Sequence, residues 1–324
     1  MRGRVAVVGV VLSGLLAACT PQPLVGRPAS ASDPGGRVAS ASDPGGRVAS
    51  ASDPGGRVAS ASERIETRIE AACTDTRSDG TQPCPARGFG SRPPAWLGTR
   101  ELPRTEAGYG EVRPTPPVLR NRRWTLADPV PMLPGRGYAA KVVSPAPAHV
   151  IDRSTWREGC PVASTDLAWV RLTFWGFDAQ RHTGELLVHR SAAAGIVEAF
   201  RILYRQRFPQ EQVVIVEFYD PDAPPTGDGN GTGAFVCRPS TGASYFSQHA
   251  YGLAIDVNTF QNPYAKGEVV LPELASAYLR RSWARPGMVL RNGPVVEAFA
   301  RIGWEWGGDW DSLKDYQHFS ANGL

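Results

Sequence analysis

The chain has 324 residues, long for one small domain and loosely enough for two. Hydrophobic residues make up 42%, enough for a packed core, while 29 Pro and 35 Gly point to long irregular stretches. The formal charge is only +4, and no basic run is interleaved with aromatics, so composition gives no ground for nucleic-acid binding; a monomer is expected.

The N-terminus reads as a targeting segment. MRGR is a short positive region, and residues 5–18 form an apolar run of fourteen, too short to span a bilayer comfortably. The run ends in Leu16-Ala17-Ala18-Cys19, which resembles the lipobox of bacterial lipoproteins. That resemblance implies removal of residues 1–18, acylation of Cys19, and an extracytoplasmic protein held to the cell membrane by its lipid. Export leaves four cysteines: Cys73, Cys84, Cys160 and Cys237. In an oxidising compartment they suggest two disulfides, with three connectivities open. Cys73–Cys84 would close a short loop and Cys160–Cys237 a long one, worth about 3 and about 4–5 kcal/mol by chain entropy. No C-x-x-C pair suggests a zinc site built from cysteine.

Residues 19–62 carry a decapeptide repeat, GRPASASDPG followed by GRVASASDPG twice and GRVASASERI. Each repeat offers at most one Val to bury, so the segment is expected to be a flexible tether that gives reach. Residues 62–73 have a helical pattern, with Ser62 as cap and Ile65, Ile69 and Ala72 on one face. The remainder of 63–150 is a proline-rich arm of unknown role, with isolated Trp96 and Trp124, expected to pack on the domain that follows.

From residue 151 to 324 the texture is that of a folded domain. Alternation predicts strands over 166–177, 184–189, 213–219 and 253–257, separated at 220–234 by a loop rich in Pro, Gly and Asp. Helices are predicted over 191–207, with Ile196, Phe200, Leu203 and Tyr204 on one stripe, and over 294–302, with Pro294 in the first turn and Gly303 just past the end. Strands and helices do not alternate regularly. The expected class is therefore α+β, a small antiparallel sheet with flanking helices.

The stretch SQHAYGLAID, residues 247–256, carries the chemistry. In a strand, Leu253, Ile255 and Val257 face one side and Ala254, Asp256 and Asn258 the other, which holds the Asp256 carboxylate on a rigid element. Gly252 permits a turn that brings His249 alongside, and Gly252 and Ala254 leave room for close approach to a metal. Near the C-terminus stands Asp315-Tyr316-Gln317-His318. Two imidazoles, one carboxylate and a water make a four-coordinate catalytic zinc site, and a second carboxylate can take the proton from that water. His-x6-Asp alone is a weak signal, and a hydrogen-bonded structural His249 is the competing reading. His149, His182 and His189 have no partner motif and are expected to be structural or exposed.

The whole pattern is more specific. S-x-H-x-x-G-x-A-x-D is matched by Ser247, His249, Gly252, Ala254 and Asp256; Gly303-Trp304-Glu305-Trp306-Gly307-Gly308-Asp309-Trp310 and Asp315-x-x-His318 follow. Upstream stand Gly159-Cys160-Pro161-Val162, Asn230-Gly231-Thr232 and Cys237-Arg238. Over about residues 155–322 the chain resembles the zinc D-alanyl-D-alanine carboxypeptidases and related L-alanyl-D-glutamate peptidases, the VanY-like group with a hedgehog-type fold. The resemblance implies zinc on His249, Asp256 and His318, with Asp315 as general base where other branches place Glu. It implies Arg238 as a substrate contact that steadies oxyanion charge. Ser247 is expected to support the site by hydrogen bonding or to touch substrate, and Trp304 and Trp306 to line the groove, one of them belonging to the core; Trp306 is the substrate contact expected. The implied substrates are the peptide stems of peptidoglycan, cut as a carboxypeptidase or alternatively as an endopeptidase. A non-hydrolytic peptidoglycan- or zinc-binding lipoprotein is the rival reading. A structural wall spacer would account for the tether but not for the metal set.

Overall fold

Alternation through residues 167–189 builds the main sheet. The computed structural model describes residues 92–217, 219–240 and 244–324; the leader, the tether, the predicted 62–73 helix and Cys19, Cys73 and Cys84 lie outside them. β1 (Ala140–Val143) pairs antiparallel with β2 (Leu167–Gly176), and β3 (Arg181–His189) pairs antiparallel along the whole of β2, from Leu167 opposite His189 to Trp175 opposite Arg181. β4 (Pro209–Gln210) adds to the end of β2 in parallel, so the sheet is mixed, where sequence predicts antiparallel pairing throughout.

Both faces of this sheet are covered. Ala168, Val170, Leu172 and Phe174 point into a core completed by Ile196, Phe200 and Leu203 of the amphipathic helix α2 (Ala193–Arg205), which follows the short α1 (Ala148–Ile151). Helix α3 (Pro294–Ala300) joins the same core through Val295, Ala298 and Phe299. On the other face Leu167 and Leu187 meet Val150, Ile151, Ile215 and Phe235. Burial on both sides explains why β2 reads as a nearly continuous apolar run.

The predicted 213–219 strand is not a regular strand. Val213 makes an isolated parallel bridge to Thr232, with Val214 N donating to Thr232 O, and the Val213 carbonyl accepts from Glu185 N of β3. The segment lies beside β3 but meets only a single turn of partner chain, so its β-branched residues are buried without a ladder.

Two small sheets complete the α+β architecture. One runs β5 (Ala254–Asp256), β10 (His318–Ser320), β8 (Glu305–Trp306); the other runs β7 (Val269–Leu271), β6 (Tyr264–Lys266), β9 (Lys314–Asp315), and all pairs in both are antiparallel. Residues 92–126 pack on this region, while residues 128–139 run along β2 and β3, Leu133 N donating to Thr183 Oγ1 and Ala139 N to Thr173 Oγ1. Leu119 and Trp124 are buried with Phe260, Leu274 and Tyr278, and Arg122 forms a two-pronged ion pair with Glu211, both contacts 2.7 Å, with both side chains almost wholly buried. A disulfide joins Cys160 to Cys237, 77 positions apart. Among the described residues no helix is long and apolar enough to cross a membrane.

Candidate metal centre

Three short elements bring His249, Asp256 and His318 together. Ser247 caps the 3-10 helix Gln248–Tyr251, its Oγ accepting from His249 N at 3.3 Å. Gly252 ends that helix in the left-handed region at φ +69°. A Cβ there would lie 2.4 Å from the backbone N of His189, whose N–H donates to the Gly252 carbonyl. The glycine is required by its packing on β3, not by closeness to a metal, which corrects the expectation that it makes room for the ion. β5 follows at once and carries Asp256. On β10, His318 stands directly opposite Asp256 in the antiparallel register. The other side of Asp256 is held by two hydrogen bonds to the backbone of Gly233.

His249 Nε2 and His318 Nδ1 lie 3.1 Å apart, and each is 3.2 Å from Asp256 Oδ1. The remaining ring nitrogens fix the tautomers. His249 Nδ1 is 2.6 Å from the Ala234 carbonyl and His318 Nε2 is 3.1 Å from the Leu324 carbonyl. A carbonyl oxygen only accepts, so each of these nitrogens carries the ring proton in the neutral imidazole. In the neutral pair two lone pairs and a carboxylate oxygen face one point, and a positive charge there, a proton in the metal-free chain or a metal ion, joins them. Acceptors so arranged need a cation. Tetrahedral zinc with bonds of 2.0–2.1 Å places its ligands about 3.3 Å apart, close to the triangle found here. The donor set therefore fits the ion, and it is the one group of three or more such side chains with this geometry among the described residues.

The electrostatics follow from burial and proximity. Burial pushes the Asp256 carboxyl up, but the charges and hydrogen bonds of His249 and His318 outweigh it and hold the carboxyl below its usual range. Burial pushes His318 down, and the hydrogen bond and charge of Asp256 more than reverse this. Asp315 behaves oppositely. Burial, then repulsion from Asp256, pushes its carboxyl up to about 7. Its Oδ1 is buried and has no hydrogen-bond partner, an orphaned acceptor beside the cluster. Gly307 packs against this residue, since a Cβ there would lie 2.8 Å from the Asp315 carbonyl oxygen.

The other expected site residues fall in different places. Arg238 is partly buried; its guanidinium donates to the Pro239 carbonyl at 3.0 Å, and its charge reaches Asp315. Ser247 is 6% exposed and spends its hydroxyl on the cap, so it positions His249 and has little surface for substrate. Trp304 and Trp306 are both buried. The Trp306 ring is stacked on Phe319, its Nε1 donates to the Tyr316 carbonyl at 2.9 Å, and it lines a small groove with Gly308, Lys314 and Tyr316. Cys160 and Cys237 are bonded to each other, next to Arg238. His149 packs edge-on to Trp169, His182 sits between Asp128 and Asp178, and His189 bonds Ser191, all apart from the cluster. The carbonyls of Ala234 and Leu324 were not anticipated. Backbone acceptors leave no mark in the residue pattern. Gln317 was also missed; its side chain bonds Asp315 and counteracts the upward push.

Residues 241–321 match a family model described as D-alanyl-D-alanine carboxypeptidase. The matched span takes in Ser247, His249, Asp256, Trp306, Asp315 and His318, begins after Arg238, and supports a peptidase acting on peptidoglycan-derived substrate. No solved structure matches the chain.

Proposed function

We propose that this protein is a zinc-dependent peptidase that removes the terminal D-alanine from peptidoglycan stems, displayed outside the cell membrane by a lipid on Cys19. The hedgehog-type fold belongs to the same proposal. The observation that carries it is the convergence of three acceptor atoms of His249, Asp256 and His318 at mutual distances of 3.1–3.2 Å, with a second carboxylate, Asp315, held protonatable near neutrality.

His249 Nε2, His318 Nδ1 and Asp256 Oδ1 would hold the ion. Bound there, zinc supplies a Lewis acid and lowers the pKa of water toward neutrality. Asp315 takes a proton from the attacking water and returns it to the leaving amine, a task suited to a carboxyl whose pKa lies near the working pH. Arg238 donates to the carbonyl oxygen as charge develops on it; one such preorganised donor contributes about 3–4 kcal/mol. The carbonyls of Ala234 and Leu324 keep both imidazoles in the ligating tautomer.

The test is to incubate the full-length protein with purified wall stems, with and without chelator, and weigh the products. Loss of one terminal alanine identifies a carboxypeptidase. Release of an internal fragment identifies an endopeptidase on the same stems. Absence of any chelator-sensitive product refutes hydrolysis and favours a binding lipoprotein. His318→Ala or Asp256→Ala should lose zinc, whereas Asp315→Ala should keep zinc and lose activity.

A further inference from the structure

A second polar centre shares no residue with the His249 cluster. Pro114, Thr115, Arg120, Ser276, Ala277, Arg280 and Trp283 line an open groove of about 300 Å³. Arg120 and Arg280 are exposed at its walls, and among the described residues neither forms an ion pair. Trp283 is 42% exposed, with the Arg280 guanidinium 5.4 Å from its ring centroid. Behind it stands Arg285, whose guanidinium is stacked 3.6 Å from the Trp283 ring centroid and 4.6 Å from that of Tyr278. Both terminal nitrogens of Arg285 are buried and have no hydrogen-bond partner. The Tyr278 hydroxyl next to it accepts from Arg122 N, donates to the Leu119 carbonyl and also interacts with Arg285. The positive field of Arg120 and Arg280 reaches Arg285 as repulsion.

Two guanidinium groups thus line the groove and a third lies behind its indole wall, with no carboxylate among the lining residues. Some buried arginines of the chain find acids, as Arg122 does with Glu211, and others bond carbonyls, as Arg281 does with Gln261, Tyr278 and Val289. The terminal nitrogens of Arg285 have neither kind of partner, which is unfavourable for the chain alone, since like charges repel and a buried charge calls for a partner. An oxyanion in the groove removes the conflict. The guanidinium fork bonds carboxylate or phosphate in two-pronged fashion, and the exposed indole face offers a flat apolar surface to whatever carries the anion. We propose that the Arg120–Arg280–Trp283 groove is an accessory binding site for an oxyanion, a carboxylate or a phosphate, borne on a larger ligand. Arg120 and Arg280 contact the anion directly, Trp283 stacks on the adjoining unit, and Arg285 holds the indole in place while adding charge behind it.

The test is a fluorescence titration of the full-length protein with inorganic phosphate and, separately, with succinate, at constant ionic strength maintained with chloride. The expected result is a saturable change that Trp283→Phe abolishes, that Arg120→Gln and Arg280→Gln each weaken at least tenfold, and that persists in His318→Ala. Tighter binding of phosphate identifies a phosphate as the anion on the ligand, and tighter binding of succinate a carboxylate. If an arginine variant loses its thermal transition, Ala277→Glu, which places a carboxylate in the groove, should abolish the response on its own. No saturable change, a change lost in His318→Ala but kept in both arginine variants, or a signal that survives Trp283→Phe would each overturn the proposal. The persistence in His318→Ala separates this site from the peptidase reading, which can fail without it.

Discussion

Asparagine in place of Asp315 should stabilise the metal-free protein, and more so as the pH rises. In the folded chain this carboxyl is pushed from 3.8 to about 7, by burial first and by Asp256 second. Between those values the folded chain keeps a proton that the unfolded chain has released. A raised carboxyl pKa therefore costs stability progressively as pH rises through that window, and the full cost is reached above the folded value. Linkage at about 1.4 kcal/mol per pH unit gives a fall of about 2–3 kcal/mol between about pH 5 and about pH 8. Asparagine cannot ionise and has nearly the same shape. The assay is urea unfolding of chelator-treated full-length wild type and Asp315→Asn at the two pH values. His318, whose pKa is also raised, loses its contribution in the same direction, and part of its rise comes from the Asp315 charge. The difference between the two curves therefore reports Asp315 together with its coupling to His318. If wild type and variant change in parallel across this range, Asp315 is not the strained acid described here, and its role as proton carrier loses its physical basis.

Three further outcomes are expected. Gly252→Ala puts a methyl 2.4 Å from His189 N at a left-handed φ, and should cost about 1–3 kcal/mol and weaken zinc binding in a chelator competition. Replacing Cys160 and Cys237 together with serine opens a loop of 77 positions and should lower unfolding free energy by about 4–5 kcal/mol under non-reducing conditions. Arg122→Met leaves Glu211 fully buried without its partner and should cost about 3–5 kcal/mol by urea unfolding; adding Glu211→Leu should recover most of the loss.

The elements with enough side chains to show a period were legible. β2, β3, β5, α2 and α3 lie where alternation or helical spacing placed them, with ends shifted by a few residues. The two-residue strands β4, β8 and β9 show no period at all, and β1 is exposed along most of its length, so no apolar alternation marks it within a proline-rich arm. Trp124 looked isolated because its neighbours in the core, Phe260 and Tyr278, come from far along the chain. The site divides in the same way. The histidines and carboxylates were readable as residue types, but nothing local says that His318 lies across a strand from Asp256. A tryptophan in a glycine-rich motif looks the same in a groove wall as in a core, so the burial of both Trp304 and Trp306 was not readable.

The opposition of His318 to Asp256 also sets a schedule. The two residues are 62 positions apart and meet only when β5 and β10 have paired, after the intervening chain has closed its loop. Without His318, His249 and Asp256 would offer a metal ion only two of the three donors, so full affinity would arrive with this pairing rather than by degrees. Metal uptake during refolding would then be a clock, its rate constant equal to that for pairing β5 with β10.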